Sequence, residues 1–369
     1  MKWKIAATTS CTLFWAASSA FAFTWGVVGH KMSGRGIEED FEILEARGLT
    51  TYRFDVALKA DRPDEATRLQ KLLALADAHH VILHPILKVP FTWNDNATDD
   101  GKYPNTENGL EAQGYERVYP VVLKFSRDIY DWELENELSL ATGVKHGIGN
   151  SPRDYETSKA HQWAAVLRGM SRAIRDVRAA TGRPLRTVVD VPEVDFGFVP
   201  FLEQNGVTID KVAYHYYYPF EATPMKTYAL NYNGTFDIFA ELGKLGKPVI
   251  INEFNAGEIY DPRNHKPYDD AKALASLKVH IEYILRQTKA NIEGLEYYEL
   301  YDDADLSDPV MSNFGLMHDA VHLRTQMLLA AVYACGKLST EEQRAVARSG
   351  LFTQTALAAK LSRCREVRP

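Results

Sequence analysis

Cysteine is scarce in this chain of 369 residues, with Cys11, Cys335 and Cys364 the only three. Basic clusters long enough to track a phosphate backbone are missing, and the net charge of −7 adds to that lack, which excludes nucleic acid as a partner class. A neutral or mildly cationic substrate fits this balance better. No glycine-rich dinucleotide fingerprint follows the first apolar segment, and the histidines show neither H-x-H nor H-E-x-x-H spacing. Neither a cofactor nor a metal is therefore expected. What is present is ordinary globular material, 46% apolar and 25% charged, enough for one large core.

The first residues, Met1-Lys2-Trp3-Lys4, lead into an apolar stretch that reaches Ala20-Phe21-Ala22. A charged start, an apolar middle and an A-x-A end make a cleavable export signal over 1–22. The stretch is broken by Thr8, Thr9 and Ser10 and falls short of a membrane span. Cys11 has no leucine three residues before it, as a lipoprotein signal would, so it leaves with the leader. The expected mature protein is secreted or periplasmic, monomeric and without membrane attachment. It retains Cys335 and Cys364, an even count that an oxidising compartment can close into one bridge.

Apolar spacing then alternates between periods of two and 3.6. Strands are predicted over 24–29, 51–56, 81–87, 129–134, 185–191, 209–215, 248–253 and 294–300. Helices are predicted over 38–47, 64–79, 115–126, 153–180, 199–205, 236–245, 270–289 and 321–335. Eight strand-helix units of this size imply a parallel sheet closed into a (β/α)₈ barrel over 23–337. The segment 91–114 is rich in Asn, Asp, Thr and Gly and reads as a functional loop that contributes to substrate selection. A helical extension follows over 338–369.

The fourth strand runs into Asp131-Trp132-Glu133-Leu134-Glu135-Asn136-Glu137, and the seventh, Pro248-Val249-Ile250-Ile251-Asn252, ends in Glu253. Both ends lie on the rim where barrel enzymes hold their active sites. A single glutamate at a strand end is normally a solvated rim residue. Two facing one mouth, one beside an amide and a tryptophan, form a pair able to cleave a glycosidic bond. Strand parity turns Glu135 and Glu137 to the same side, and the preceding Asn136 favours Glu137. Glu258 is the weaker alternative to Glu253.

These motifs resemble the clan A glycoside hydrolases, over nearly the whole predicted barrel. Trp132 to Glu137 is similar to that clan's W-x-x-x-N-E segment, and Val249 to Phe254 to its nucleophile strand. The resemblance implies a retaining O-glycosyl hydrolase acting on a poly- or oligosaccharide. Glu137 would be the general acid/base, Glu253 the nucleophile, and Asn136 a ligand of the sugar's 2-hydroxyl. It further implies that Arg53 supports the nucleophile, that His215 and Tyr217 orient it and touch substrate, and that Tyr298 is a sugar platform. Phe314-Gly315-Leu316 resembles the clan's F-G-L turn. Within the clan the pattern is most similar to family 39 and related bacterial enzymes acting on exopolysaccharides.

His84, Trp93 and Trp25 are expected to line the cleft, since aromatic faces suit sugar rings and imidazole bonds hydroxyls. Two other readings compete. One is a barrel that binds carbohydrate without catalysis. The other is a metal-dependent hydrolase drawing on His79, His80, His84 and His215.

Overall fold

Eight strands recur at the predicted places because each carries large apolar residues on its outer face: β1 (Thr24–Val28), β2 (Thr51–Ala57), β3 (Ile82–Lys88), β4 (Asp131–Leu134), β5 (Arg186–Val191), β6 (Lys211–Tyr218), β7 (Val249–Ala256) and β8 (Ile292–Tyr297). All neighbours pair in parallel, and β8 pairs with β1 to close an eight-stranded barrel. The (β/α)₈ fold class is thus established. The computed structural model describes residues 23–29, 37–59, 64–89, 102–145, 147–218, 226–227, 236–256, 260–261, 266–267, 270–303, 311–319 and 321–367. The segment 1–22 predicted as an export signal, Trp93 and Glu258 lie outside those residues.

The helices are α1 (Glu38–Arg47), α2 (Glu65–Ala78), α3 (Glu107–Phe125), the short α4 (Leu138–Thr142), α5 (Ser158–Thr181), α6 (Phe198–Gln204), α7 (Ile238–Lys244), α8 (Asp270–Arg286) and α9 (Thr325–Tyr333), followed by α10 (Thr340–Arg348) and α11 (Gln354–Val367). Gly48 ends α1 in the left-handed region, at φ 73°, a conformation that glycine adopts without a Cβ penalty.

Several helices depart from their predicted bounds: α8 ends three residues early, at Arg286, and α9 starts four residues late, at Thr325. Helix α3 starts at Glu107, inside the segment read as a loop, because the Thr106 hydroxyl accepts from the Gly109 amide as an N-cap. The helix predicted from residue 153 is split. A 3₁₀ turn at Pro152–Tyr155 precedes α5, whose own cap is Thr157.

The barrel's outer face and the helices share the main core. Trp132, Tyr214, Tyr216, Ile251, Phe254 and Tyr297 are at most 1% exposed, and each such side chain contributes about 2–3 kcal/mol by leaving water. Trp25 belongs here too. It stacks on Tyr297 and packs against Tyr333 of α9, so it faces the helix layer and not a substrate.

Inside, Val188, Ala213 and Ile250 form one small apolar cluster, and charged groups fill the space that Val, Ile and Leu occupy in most such barrels. At the N-terminal end, Arg186 bonds both oxygens of Asp131 at 2.6 and 2.8 Å and reaches Glu293 at 3.0 Å. Lys211 bridges the same two acids at 3.0 and 3.1 Å. Each charge meets two opposite charges, which is what makes burial of ions tolerable. Cys335 and Cys364 are joined in a disulfide that ties α11 to the end of α9.

Candidate active site

At the C-terminal mouth, β2, β4, β6 and β7 deliver their last inward side chains to one place. Arg53 is the hub. Its Nε and Nη2 donate to the two oxygens of Glu133 at 2.8 and 2.7 Å, and its Nη1 donates to Glu253 at 2.7 Å. Nη2 also donates to the Asn136 oxygen at 2.6 Å. The fork geometry of guanidinium suits this division between two carboxylates.

Strand β7 presents Asn252 and Glu253 to the interior in succession, against the alternation of a regular strand. A register shift explains it: Tyr214 pairs with Ile251 and His215 with Glu253, so Asn252 is the extra residue of a bulge. Its amide donates to Glu133 at 3.0 Å, while Glu253 accepts from the Tyr217 hydroxyl at 2.6 Å. Phe254 returns to the outer face, against Tyr216.

The end of β4 is equally irregular. Glu135 and Glu137 have φ of 61° and 50°, so the expectation that strand parity carries both to one side does not hold. The Glu135 carboxylate turns aside to accept from the Val89 amide at 2.6 Å, and burial pushes its carboxyl up to about 8. Asn136 and Glu137 are left facing the mouth. The Glu137 amide donates to Asp190 of β5 at 2.7 Å, which fixes the turn.

His215 lies between the two candidate carboxylates. Its Nδ1 is 2.8 Å from Glu137 and 3.5 Å from Glu253, and its Nε2 faces Asp190 at 3.3 Å. Burial works against its charge, but Glu253, the hydrogen bond to Glu137 and Asp190 outweigh it and raise the imidazole to about 9. For Glu137 burial likewise opposes, and the His215 bond and charge hold its carboxyl below the usual range. Asp190 is pushed up to about 7 by burial, with His215 opposing. A carboxylate oxygen of Glu137 and one of Glu253 lie within 4.8 Å of each other.

Tyr298, half-buried, packs edge-on against Tyr217 and Phe314 at centroid distances of 5.9 Å each. It therefore stands in the wall beside Glu253, and the Tyr298–Glu299 peptide that follows is cis. Glu299 is buried next to it, its carboxyl raised to about 9 by burial and by Asp303 and Asp302.

Of the residues singled out from sequence, Arg53, Asn136, Glu137, His215, Tyr217, Glu253 and Tyr298 meet at this mouth. His84 does not. It is 3% exposed and sits lower in the barrel, with Nδ1 3.1 Å from Glu296 and Nε2 3.4 Å from Glu133. It pairs in register with Arg53 of β2, and its ring nitrogens face these two carboxylates and not Glu137 or Glu253.

Glu133, Asp190, Asn252 and Glu296 belong to the cluster and were not singled out. Their signal was a charged or amide residue at inward parity inside an otherwise apolar strand, as in Val188-Val189-Asp190-Val191, since a buried charge demands a partner.

Among the described residues, two sets of three side chains lie close enough to share an ion, Glu133/Asp190/His215 and Glu137/His215/Glu253. Each contains one histidine, and His79 pairs instead with Glu45 on the surface. The Arg53 guanidinium already binds Glu133 and Glu253, so a cation in either set would meet a fixed positive charge. The donor set does not fit a resident metal.

Comparison with known proteins gives a matching picture of the scaffold. No protein-family model and no curated protein matches the chain. Solved structures do. A family 39 glycoside hydrolase from the gut symbiont Bacteroides cellulosilyticus WH2 is similar at a TM-score of 0.61 and 17% identity, over 85% of this chain. The chain spans 64% of that enzyme's length. The beta-glucosidase from Thermotoga maritima, in complex with azafagomine, is similar at 0.56 and 13% identity, covering 86% of this chain and 99% of its own. A fungal beta-1,4-galactanase is similar at 0.54 and 16% identity, over 80% and 90% of the two chains. At these identities the likeness is one of fold. It is the likeness to glycoside hydrolases that the strand-end motifs led one to expect.

Proposed function

We propose that this protein is a retaining glycoside hydrolase in which Glu253 is the nucleophile and Glu137 the general acid/base. One observation carries the reading: carboxylate oxygens of the two residues lie within 4.8 Å across the barrel mouth. So close an approach of the two oxygens fits the carboxyl separation of about 5–5.5 Å of retaining enzymes better than the roughly 6.5–9.5 Å with which an inverting enzyme seats a water. The surroundings support the division of roles. Arg53 and Tyr217 both donate to Glu253, which fixes the orientation of its carboxylate. Glu137 shares a hydrogen bond with His215, which can hand it a proton.

In the first step a Glu253 oxygen bonds the anomeric carbon as the glycosidic bond breaks, and the departing oxygen takes the proton from Glu137. In the second a water attacks the same carbon, its proton passes to Glu137, and Glu253 leaves as carboxylate. Asn136, held by Arg53, is placed for the sugar's 2-hydroxyl, and Tyr298 for the ring face. The substrate is a poly- or oligosaccharide, with a bacterial exopolysaccharide as the finer reading that follows from the family 39 pattern. The bridge between Cys335 and Cys364 supports export to a secreted or periplasmic location, where such bonds persist.

The test is a proton NMR time course of the mature protein with aryl glycosides and bacterial polysaccharides, run beside Glu137→Gln and Glu253→Gln. First release of the substrate's own anomer is expected. Turnover should be abolished in Glu253→Gln and lowered by about 10²–10⁴ in Glu137→Gln. Release of the opposite anomer would remove the nucleophile role from Glu253. Sugar binding without turnover in the wild-type protein would favour the carbohydrate-binding barrel.

A further inference from the structure

Below the mouth, the barrel carries a second buried charged group that no step of the proposed reaction uses. His84 on β3 lies between Glu296 on β8, 3.1 Å from its Nδ1, and Glu133 on β4, 3.4 Å from its Nε2. All three side chains are at most 4% exposed. Glu133 in turn is bonded through both oxygens to Arg53, whose remaining arm holds Glu253. An unbroken line of contacts thus runs from Glu296 through His84, Glu133 and Arg53 to the nucleophile.

We propose that His84 is a positioning residue which, by sharing Glu133 with Arg53, decides how much of the guanidinium's charge is left for the Glu253 carboxylate. The role rests on the reading of Glu253 as nucleophile. The electrostatics follow from counting charges. Glu133, Glu296, Glu253 and Glu137 are four carboxylates with Asp190 beside them; a cationic His215 faces Glu137, Glu253 and Asp190 and Arg53 faces Glu133 and Glu253, which leaves Glu296 with neither. A cationic His84 pairs with Glu296 and part of Glu133, which frees Arg53 toward Glu253. A neutral His84 leaves Glu296 uncompensated beneath Glu133, and the added negative potential makes the Glu253 anion harder to form.

The groups facing His84 favour the cation. Burial lowers the imidazole, and Glu296, Glu133 and Asp131 together raise it above its ordinary value. The nearest fixed positive charge on this line is Arg53, on the far side of Glu133. The effect runs through Glu133 and Arg53 and requires no contact with substrate.

Two measurements test this. The first needs no turnover: histidines labelled at the ring carbon are titrated by NMR, with His84 assigned by its loss in His84→Gln. The His84 signal should titrate above the range of a free imidazole, and its midpoint should fall in Glu296→Gln. A neutral His84 at pH 6 would overturn the proposal. The second is the pH dependence of kcat/KM in wild type and His84→Gln, with near-UV circular dichroism confirming that the variant is folded. The acid limb should move up by about one pH unit, with KM little changed. A profile that superimposes on wild type, or drops equally at every pH, would overturn it and leave His84 a packing residue. Absence of wild-type turnover, with the NMR result as expected, would sink the glycosidase reading while leaving the His84 cation standing.

Discussion

At the scale of single residues, the distribution of one proton between His215 and Glu137 governs the site. In the free enzyme Glu137 is held below the usual carboxylate range, burial being outweighed by His215, and the imidazole is raised to about 9. In the proposed reaction the proton shared across this 2.8 Å hydrogen bond must be on Glu137 when the leaving oxygen departs. Such a pair titrates as a unit. It keeps its proton as pH rises and loses it near the raised value of the imidazole, so the alkaline limb of kcat/KM is expected near pH 9. In His215→Gln, Glu137 must keep the proton by itself, with burial alone to favour it. The alkaline limb should then fall by more than about one pH unit. Measuring kcat/KM from pH 4 to 10 on an aryl glycoside decides the matter, and an unmoved limb would take His215 out of proton transfer. None of this coupling was legible in sequence: parity placed His215 inward, but its partners depend on the bulge at Asn252 and the left-handed turn at Glu137.

At the scale of elements, the alternation of periods gave all eight strands and closure of the barrel, because the helix-facing sides obey hydrophobic patterning. The barrel interior escaped that logic. Hydrophobic patterning says nothing of Asp131, Arg186, Lys211 and Glu293, which neutralise one another inside. Helix α3 was read late for a related reason, since Gly109 and Gly114 argue for a loop until their purpose is seen. A Cβ on Gly114 would lie 2.2 Å from the Val166 carbonyl of α5, and one on Gly169 of α5 2.0 Å from the Glu111 carbonyl of α3. The two helices approach so closely that only hydrogen fits. Gly169→Ala therefore tests packing against propensity. Alanine favours a helix by about 1 kcal/mol, while overpacking against backbone costs about 1–3 kcal/mol. Net destabilisation is expected, seen as a lower urea midpoint. Activity per folded molecule should be unchanged, since the contact lies outside the barrel. A raised midpoint would show that the helices can separate at little cost.

At the scale of the whole molecule, the site depends on barrel closure, whereas the C-terminal helices attach by their own small interface. Leu328 and Val332 of α9, Val346 of α10 and Leu357 of α11 form a separate apolar cluster. The disulfide closes a segment of 29 residues around it. On the chain-entropy estimate, a loop of that length is worth about 3–4 kcal/mol, a large share of what holds so small a cluster together. Cys335→Ser/Cys364→Ser should therefore release α11 first: limited proteolysis would cut the C-terminal segment before the barrel, and reduction of the wild-type protein would reproduce the pattern. Turnover should survive, because the charged network from Glu296 to Glu253 lies wholly on strands β2, β3, β4, β7 and β8. The protein would then keep a working site while losing resistance to proteases. Simultaneous loss of activity and of the C-terminal helices would mean that α9 to α11 are a structural part of the barrel, and that the bridge guards closure itself.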